Sequence, residues 1–301
     1  MAATFFPHCN LLKSYFSLQF KKPETFSTAF TSVNHMEFDL YRNDGSILFS
    51  DWAQLKTTNG KTTSVVSAKF SAITGFKQLN SSHVAVVDYH SHCIRMVNRE
   101  DNSNIVLAGT CGTSGFVDGA SAKFYGPWSI ELDERNPGHL LVTDRFNNAL
   151  RSADVTSGTV STVIRTGFYR PTGLTWYKRR LLVCNRHYIS EVSWSANGAV
   201  SNNKLTTPTG VGYRDGDFSI AQFKLPMEIQ QVRDDLFLVA DQNNKRIRLL
   251  DMMKKKVLPV CIGSTTNCTT STDLSTNPFS LLISNNTVYV GAYKVILKLT
   301  G

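Results

Sequence analysis

The chain has 301 residues, of which 42% are hydrophobic and 11% aromatic, so it can build a sizeable core and is neither wholly disordered nor fibrous. No stretch approaches 18 consecutive apolar residues, and the sequence therefore predicts no membrane-spanning helix. Lysine and arginine outnumber aspartate and glutamate by 32 to 23, and the resulting net charge of +9 suits either an anionic partner or a basic, well-solvated surface.

The N-terminal segment has no clear targeting signal. Residues 1–20 lack a positive stretch followed by an apolar core and a small-residue cleavage site, so the sequence gives no support for secretion. The compartment stays unknown: cytoplasmic, or extracellular if the N-terminus is incomplete. Residues 1–22 lie outside the repeats described next, and we expect them to form a poorly ordered arm.

Six related segments follow, each an apolar run that ends at an anchor residue. The anchors are Asp51, Asp88, Asp144, Asn185, Asp241 and Gly291. They are separated by 37, 56, 41, 56 and 50 residues, which is the spacing of a unit of four short strands. In three copies an arginine follows the aspartate after seven residues, which gives the pairs Asp88 with Arg95, Asp144 with Arg151, and Asp241 with Arg248.

These pairs are predicted to be structural. The aspartate can accept hydrogen bonds from the backbone N–H groups of the turn that follows it, while the arginine reaches back from the next strand. A ring of catalytic acids is disfavoured, because a catalytic set needs unlike residues that converge on one point, whereas here the same pair repeats.

A second pattern precedes the anchors, in DGASAKFYGPWSI from Asp118 and DGDFSIAQFKLPMEI from Asp215. The Asp-Gly pair indicates a turn, the phenylalanine a core residue, and the proline the start of the next strand. Together with the apolar run, the anchor and the arginine, this pattern resembles the NHL repeat, most closely over residues 118–151 and 215–248. The resemblance extends over about 270 residues, from near Val33 to the C-terminus.

The resemblance implies an all-β fold, a six-bladed β-propeller of four-stranded antiparallel blades that occupies residues 23–301 as one domain. The last copy ends after only three strand-like segments. Because a ring leaves no sheet edge exposed at its junction, we predict that an N-terminal strand within residues 26–33 completes the last blade.

The six cysteines include no C-x-x-C pair, so a thiolate metal site is not expected. Cys261 and Cys268 bracket a short loop, and Cys93 and Cys111 flank neighbouring predicted strands. Both pairs can form local disulfides in an oxidising compartment. Free buried thiols are the alternative.

Histidines are candidate metal ligands, because enzymes that resemble this propeller hold zinc or calcium near its axis. His83 and His139 occupy equivalent places in two copies, and His90 and His92 form an H-x-H. Equivalent places on neighbouring blades stay about 10 Å apart, so we expect no shared metal and no cofactor.

The turns between the second and third strands of all blades emerge on one face, here called the turn face. Aromatic rings there give contact area and arginines give hydrogen bonds, although some rings can instead pack onto a neighbouring blade. The candidate partner-binding residues are Trp52, Tyr89, Arg145, Phe146, Arg186, Tyr188 and Tyr293. The opposite face carries residues 178–180 and 254–256, which form either a basic patch or solvated loop tips.

The sequence thus favours a non-enzymatic, monomeric binding scaffold whose partner is a protein or peptide, with RNA as a variant that the net charge allows. The alternative is a metal-dependent hydrolase or lyase with its site in the central channel. Neither G-x-S-x-G, H-E-x-x-H nor a phosphate-binding glycine loop occurs.

Overall fold

The computed structural model of the chain describes residues 18–300 except 29, 43, 68, 207–209, 263–272 and 285–286. These residues form six antiparallel sheets, which are the blades of a propeller, as the repeats predict. None of the helices in the described ranges is long and apolar enough to span a membrane.

Before the first blade the chain forms β1 (Leu18–Phe20) and β2 (Glu24–Thr28). Blades 1 and 2 consist of β3 (Val33–Phe38), β4 (Ile47–Asp51), β5 (Gln54–Thr58) and β6 (Thr63–Ser67), then β7 (Ile73–Gln78), β8 (His83–Asp88), β9 (Cys93–Asn98) and β10 (Asn104–Ala108). Blades 3 and 4 consist of β11 (Pro127–Leu132), β12 (His139–Asp144), β13 (Ala149–Asp154) and β14 (Val160–Ile164), then β15 (Leu174–Tyr177), β16 (Arg180–Cys184), β17 (Ile189–Trp194) and β18 (Val200–Lys204).

Blade 5 and most of blade 6 follow in the same order, with one single-turn 3-10 helix. Blade 5 consists of β20 (Pro226–Arg233), β21 (Leu236–Asp241), the helix Gln242–Asn244, β22 (Arg246–Asp251) and β23 (Lys256–Ile262), preceded by the two-residue β19 (Gly216–Asp217), which pairs with β23. Blade 6 contains β24 (Pro278–Ser284), β25 (Thr287–Ala292) and β26 (Val295–Thr300).

The polarity of each strand follows from how much of it the neighbouring blades cover. The second strands, such as HVAVVD in blade 2 and LFLVAD in blade 5, read as continuous apolar runs and are buried almost throughout, because a neighbouring blade covers each face. The outer strands, such as VSNNK in blade 4, are polar and largely solvent-exposed. The inner strands of successive blades contact one another around the propeller axis.

Blade 6 gains its fourth strand from the N-terminal region. Glu24–Thr28 pairs antiparallel with the last strand, with Glu24 opposite Lys298 and Thr28 opposite Val295. The predicted segment, 26–33, overlaps this strand only in part, since Val33 already begins the inner strand of blade 1. The backbone N–H groups of Thr31 and Ser32 are held by the Asp51 carboxylate, and this fixes the chain's entry into blade 1.

Part of the predicted N-terminal arm lies on the propeller. Residues 1–17 lie outside the described residues, but Leu18–Phe20 pairs in parallel with Val260–Ile262 at the outer edge of blade 5. Phe20 is buried in the apolar cluster between blades 5 and 6. Residues 18–20 of the predicted arm therefore add an edge strand to the propeller.

Apolar clusters between successive blades form the core. Phe124 and Phe223, the phenylalanines of the two Asp-Gly patterns, are fully buried in the clusters between blades 2 and 3 and between blades 4 and 5. Full burial of such a ring stabilises the fold by about 1.5 to 3 kcal/mol. The repeated phenylalanine is therefore a packing residue between blades.

Hydrogen bonds between inner strands join the blades near the turn face. Asn34 donates to the Ile73 carbonyl at 2.9 Å, and Thr172 donates to the Pro226 carbonyl at 2.7 Å. The backbone of Gly173 lies so close to blade 5 that a Cβ there would stand 2.6 Å from the Met227 carbonyl oxygen. Small side chains at the starts of the inner strands allow the inner strands of different blades to approach one another closely.

A disulfide joins Cys93 and Cys111 within blade 2. It ties the start of β9 to the loop after β10. Cys184 is a free, buried thiol. The second candidate pair includes Cys268, which lies outside the described residues.

Candidate functional site

The repeated aspartate and arginine residues are in contact inside the blades. An Asp144 carboxylate oxygen lies 2.8 Å from Arg151 Nη1, an Asp241 oxygen lies 2.9 Å from Arg248 Nη1, and an Asp88 oxygen lies 3.0 Å from Arg95 Nε. Five of these six side chains are fully buried, namely Asp88, Asp144, Arg151, Asp241 and Arg248.

The backbone partners of these aspartates differ from the predicted ones. Asp144 accepts from the N–H of Tyr125 at 2.8 Å, and Asp241 accepts from the N–H of Lys224 at 2.9 Å. Both donors precede the inner strand of the same blade, rather than lying in the turn that follows the aspartate. The antiparallel pairing of inner and second strands explains this, since the inner strand starts where the second strand ends. The aspartate thereby fixes the entry to the inner strand.

The Asp-Gly aspartates complete the same network in two blades. Asp118 lies 2.5 Å from Arg151 Nη2, and Asp215 lies 2.5 Å from Arg248 Nη2. Each of these buried guanidinium groups thus faces two carboxylates. Their Nη groups bond to carboxylate and carbonyl oxygens within the blade and both side chains are fully buried, so these arginines are not available to a ligand.

A belt of aromatic rings lies on the turn face across blades 1 to 3. The ring of Trp52 lies 6.1 Å from His90, and Tyr89 lies 5.3 Å from Trp128 and 6.1 Å from Phe146, between ring centroids. The structure therefore brings three of the predicted partner-binding residues, Trp52, Tyr89 and Phe146, into one surface. Trp52 keeps 46% of its surface exposed.

Two arginines lie on these rings, and a third lies on the neighbouring Tyr169 of blade 4. The Arg145 guanidinium carbon lies 4.2 Å from the Trp128 ring centroid, and the Arg170 carbon lies 5.4 Å from the Phe146 centroid. Arg186 donates a hydrogen bond to the Tyr169 hydroxyl at 3.2 Å. Cation–π contacts of this kind hold a guanidinium in place without neutralising its charge.

The positive charge of this cluster is not balanced locally. Within the described ranges, none of Arg145, Arg170 and Arg186 forms an ion pair with a carboxylate. Burial lowers the pKa of Arg145, the nearby Tyr89 phenol opposes this shift, and the charges of Arg170 and Arg186 lower the pKa further. The Arg145 Nε is buried and has no hydrogen-bond partner among the described residues.

Two of the predicted partner-binding residues lie outside this belt of rings. Tyr188 is only 8% exposed, and its hydroxyl donates to the Gly167 carbonyl at 2.8 Å, so it packs within blade 4. Tyr293 is exposed on blade 6, with its ring 5.1 Å from Lys294 Nζ. The structure thus places Tyr188 below the surface that the turn pattern predicts.

The turn face also includes residues that the turn pattern misses. These are Tyr125, Trp128, Tyr169 and Arg170. They flank Pro127 and Pro171, which introduce the inner strands of blades 3 and 4. These strands start at the turn face. The repeated proline could therefore have been used to predict that its neighbouring residues lie on this surface.

A buried polar pair lies near the propeller axis. His35 of blade 1 places its Nδ1 3.4 Å from a Glu228 oxygen of blade 5, and its ring packs edge-on against Phe76. Burial opposes the charged imidazolium, but the carboxylates of Glu228 and Glu37 outweigh burial and the pKa of His35 is raised. The His35 Nε2 has no hydrogen-bond partner in the described part of the chain.

The inner strands carry a second charged group toward the opposite face. The Lys77 ammonium lies 3.1 Å from Glu37 and 2.9 Å from Glu131, and so it joins blades 1, 2 and 3. Burial opposes the charged ammonium, but Glu131 and Glu37 outweigh it, and the pKa of Lys77 is raised. The lysine and the two carboxylates form one compensated cluster.

The predicted alternative, a metal centre, requires several converging ligands. Among the described residues, no three His, Cys, Asp or Glu side chains are placed to hold a metal ion. His139 lies 3.6 Å from Asp154, His90 packs against Tyr89, and the His92 Nδ1 accepts from the Gly126 N–H. His139, His90 and His92 thus have separate partners among the described residues.

The basic loops of the opposite face are partly neutralised. Lys178 lies 2.6 Å from Asp235, and Lys256 lies 3.5 Å from Asp217. Such exposed pairs contribute little to stability. They nevertheless distinguish these loops from the arginine cluster on the turn face.

Several solved structures share the fold of this chain. An auxiliary nutrient binding protein from Bacteroides ovatus aligns with a TM-score of 0.71 at 15% identity, over 90% of this chain and 70% of that one. A gluconolactonase from Xanthomonas campestris aligns at 0.67 with 9% identity, over 92% and 88% of the two chains. A virginiamycin B lyase from Staphylococcus aureus aligns at 0.58 with 14% identity, over 94% and 99%.

These likenesses concern the propeller fold, since the sequences have diverged widely. No protein-family model matches the chain. No curated protein matches it in sequence either. The relation to the NHL repeat therefore stays an interpretation of the repeated motifs.

Proposed function

We propose that this protein is a non-enzymatic binding scaffold that presents its turn face to a protein or peptide partner. The observation that carries the proposal is the arginine cluster, Arg145, Arg170 and Arg186, which lies among aromatic rings without a carboxylate partner in the described ranges. Charged groups inside a fold are normally paired, so an unpaired cluster at a surface favours an external ligand.

The composition of this surface supports macromolecular recognition. Tryptophan, tyrosine and arginine dominate the energetically important positions of protein interfaces. Trp52 and Tyr125 keep 46% and 45% of their surfaces exposed, while the Phe146 N–H donates to the Tyr125 carbonyl at 3.0 Å. A backbone fixed in this way presents the rings with little ordering entropy to lose on binding.

The test is a binding measurement with surface variants. A partner is first isolated with the native protein, and its affinity is then measured with the purified pair. We expect the double variant Trp52→Ala with Phe146→Ala to lower this affinity by at least about tenfold. Tyr41→Ala is the matched control, because Tyr41 is an aromatic residue of the opposite face with 49% exposure. Equal affinity for all three proteins would overturn the turn-face assignment.

Salt dependence separates the two partner classes. An RNA partner releases counterions on binding, so its affinity falls steeply between 50 and 200 mM salt, on the order of 10³-fold or more for six or more phosphate contacts. A shallow response favours the protein or peptide that we propose.

A catalytic site near the axis is the second candidate. It is favoured by one observation, the buried His35 whose Nδ1 faces Glu228 while its Nε2 has no partner among the described residues. A histidine oriented by a carboxylate can act as a general base. Elemental analysis of the purified protein is the direct test, because stoichiometric calcium or zinc would support the hydrolase or lyase over the scaffold.

A further inference from the structure

We infer that Arg145, Arg170 and Arg186 form a binding site for a phosphomonoester dianion, of the kind that a phosphorylated side chain of a peptide presents. The inference rests on the proposed function, since it specifies the chemistry of the partner at the turn face. The three side chains come from the turn after β12, the loop before β15 and the turn after β16.

Ring and backbone contacts connect the three arginines. Arg145 and Arg170 both contact the Phe146 ring, at 5.7 and 5.4 Å from its centroid. Tyr169, which directly precedes Arg170, accepts a hydrogen bond from Arg186 Nη1 at 3.2 Å, and its carbonyl accepts from the Arg186 N–H at 2.9 Å. The arrangement is therefore built from backbone and ring contacts rather than from chance proximity of mobile tips.

The arginines that pair with a carboxylate inside a blade show what this cluster lacks. Arg95 and Arg180 each lie 3.0 Å from a carboxylate, and Arg151 lies 2.8 Å from one. In the cluster the described residues offer a phenol and aromatic faces instead of an acid. Three cations held together in this way repel one another, and a bound anion relieves that repulsion.

Charge and geometry favour a phosphomonoester over a carboxylate. A guanidinium fork matches phosphate oxygens with paired hydrogen bonds, and a phosphomonoester supplies three such oxygens and a charge near −2 at neutral pH. A single carboxylate would leave two of the three positive charges without a counter-charge. The dianion therefore compensates the cluster better.

The surrounding rings strengthen the interaction. Trp128 and Tyr89 pack at 5.3 Å beside the cluster and reduce its contact with water, which strengthens electrostatic attraction. Burial raises the pKa of Tyr89, an effect that the charges of Arg145 and Arg170 oppose. The phenol is thus protonated at neutral pH and remains a hydrogen-bond donor.

The localisation of the charge disfavours a nucleic-acid backbone as the ligand. Phosphodiesters are monoanions and are bound along an extended basic track. Here the positive cluster occupies one part of the turn face, while the inner strands carry Glu37 and Glu131 toward the opposite face. A single doubly charged group fits this distribution better than a chain of single charges.

The experiment is a calorimetric titration of the full chain with three small probes. The probes are phenyl phosphate, benzoate and methyl phenyl phosphate, which share a ring but differ in charge and oxygen geometry. At pH 8 we expect phenyl phosphate to bind at least about tenfold more tightly than the other two, because it alone is a dianion. Similar affinities for the three probes would overturn the inference.

Variants then locate the site. We expect Arg145→Gln and Arg170→Gln each to lower the affinity for phenyl phosphate by about tenfold or more, since each removes one charged donor. Arg179→Gln is the control, because Arg179 is an exposed arginine of the opposite face. Thermal melting of each variant shows that the fold persists. Unchanged affinity in both cluster variants would place the anion elsewhere and contradict the assignment.

The source of the phosphate and the proposed function are tested separately. A phosphorylated peptide is compared with its unphosphorylated form and with a 5′-phosphorylated RNA oligonucleotide. Preference for the phosphopeptide supports the inference, and preference for the RNA contradicts the peptide source. If the Trp52 and Phe146 variants lose the partner while no probe binds, the phosphate site is wrong and the scaffold function stands.

Discussion

Charge is organised in opposite ways toward the two faces of the propeller. On the turn face Arg145 and Arg186 lie among aromatic rings, and no described carboxylate pairs with them. Toward the other face Lys77 lies between Glu37 and Glu131, with both contacts near 3 Å. Compensated charge joins blades and stabilises the ring, whereas uncompensated charge carries an energetic penalty that a ligand can remove.

The same difference separates arginines within a single blade. Arg151 and Arg145 lie only six residues apart in blade 3. Arg151 is fully buried and faces Asp144 and Asp118, so its role is structural. Arg145 is partly buried against Trp128 and has its charge available. Residue type alone therefore does not show whether an arginine is neutralised within its blade.

The largest effect is expected from removing the cation of the compensated cluster. Lys77→Met leaves the carboxylates of Glu37 and Glu131 close together and mostly buried, so we expect a loss of about 3 to 5 kcal/mol in the free energy of unfolding. Chemical denaturation measures it. Lys178→Met is the control, since the ion pair of Lys178 with Asp235 is solvent-exposed. A loss below about 1 kcal/mol for Lys77→Met would show that this cluster does not stabilise the ring.

Removing one member of a blade network should cost less. Asp144→Ala leaves Arg151 with Asp118 and frees the N–H of Tyr125, and we expect a loss of about 1 to 3 kcal/mol. Asp217→Ala, at an exposed carboxylate, is expected to change stability by less than about 0.5 kcal/mol. Equal melting temperatures for the two variants would refute the structural role of the repeated aspartate.

His35 should make stability depend on pH. Its pKa is raised above 6.5 in the folded state, so the folded protein binds more protons than the unfolded chain in this range. The stabilisation is present below pH 6.5 and is lost as pH rises through the folded pKa, with a slope of at most about 1.4 kcal/mol per pH unit. Denaturation between pH 6 and 9 should show this slope in the native protein and not in His35→Gln. A slope retained in the variant would assign it to other groups.

The smallest effect on stability is expected at the arginine cluster. Arg145→Gln removes a partly buried charge that repels Arg170 and Arg186, so we expect the free energy of unfolding to stay the same or to rise by up to about 1 kcal/mol. Differential scanning calorimetry at low salt measures it. A loss above about 2 kcal/mol would mean that Arg145 stabilises the fold by packing. The turn face would then not differ from the opposite face in carrying an uncompensated charge.

Much of the fold was predictable because the repeat is local. The six anchors and the resemblance to the NHL repeat predicted six blades, and the phenylalanines at 124 and 223 fill the places expected for core residues. The edge strand Leu18–Phe20 was not predictable in the same way, because it pairs with Val260–Ile262, which lies far along the chain. Short parallel pairs of this kind leave no periodic signal.

The aromatic surface of the turn face was predictable only in part. The turn pattern led to Trp52, Arg145 and Phe146, which the structure brings to the turn face. It also led to Tyr188, which is buried, because a position in a turn does not determine whether a ring points outward or packs inward.

The sequence by itself determined the number of blades, the order of strands and the residues that hold each blade together, because these depend on contacts within one repeat. The tertiary structure decided which charges meet. His35 reaches Glu228 from a distant blade, and Arg170 joins Arg145 beside Phe146. Closing the ring sets these distances between blades, and the distances determine whether a charge is neutralised by another described residue.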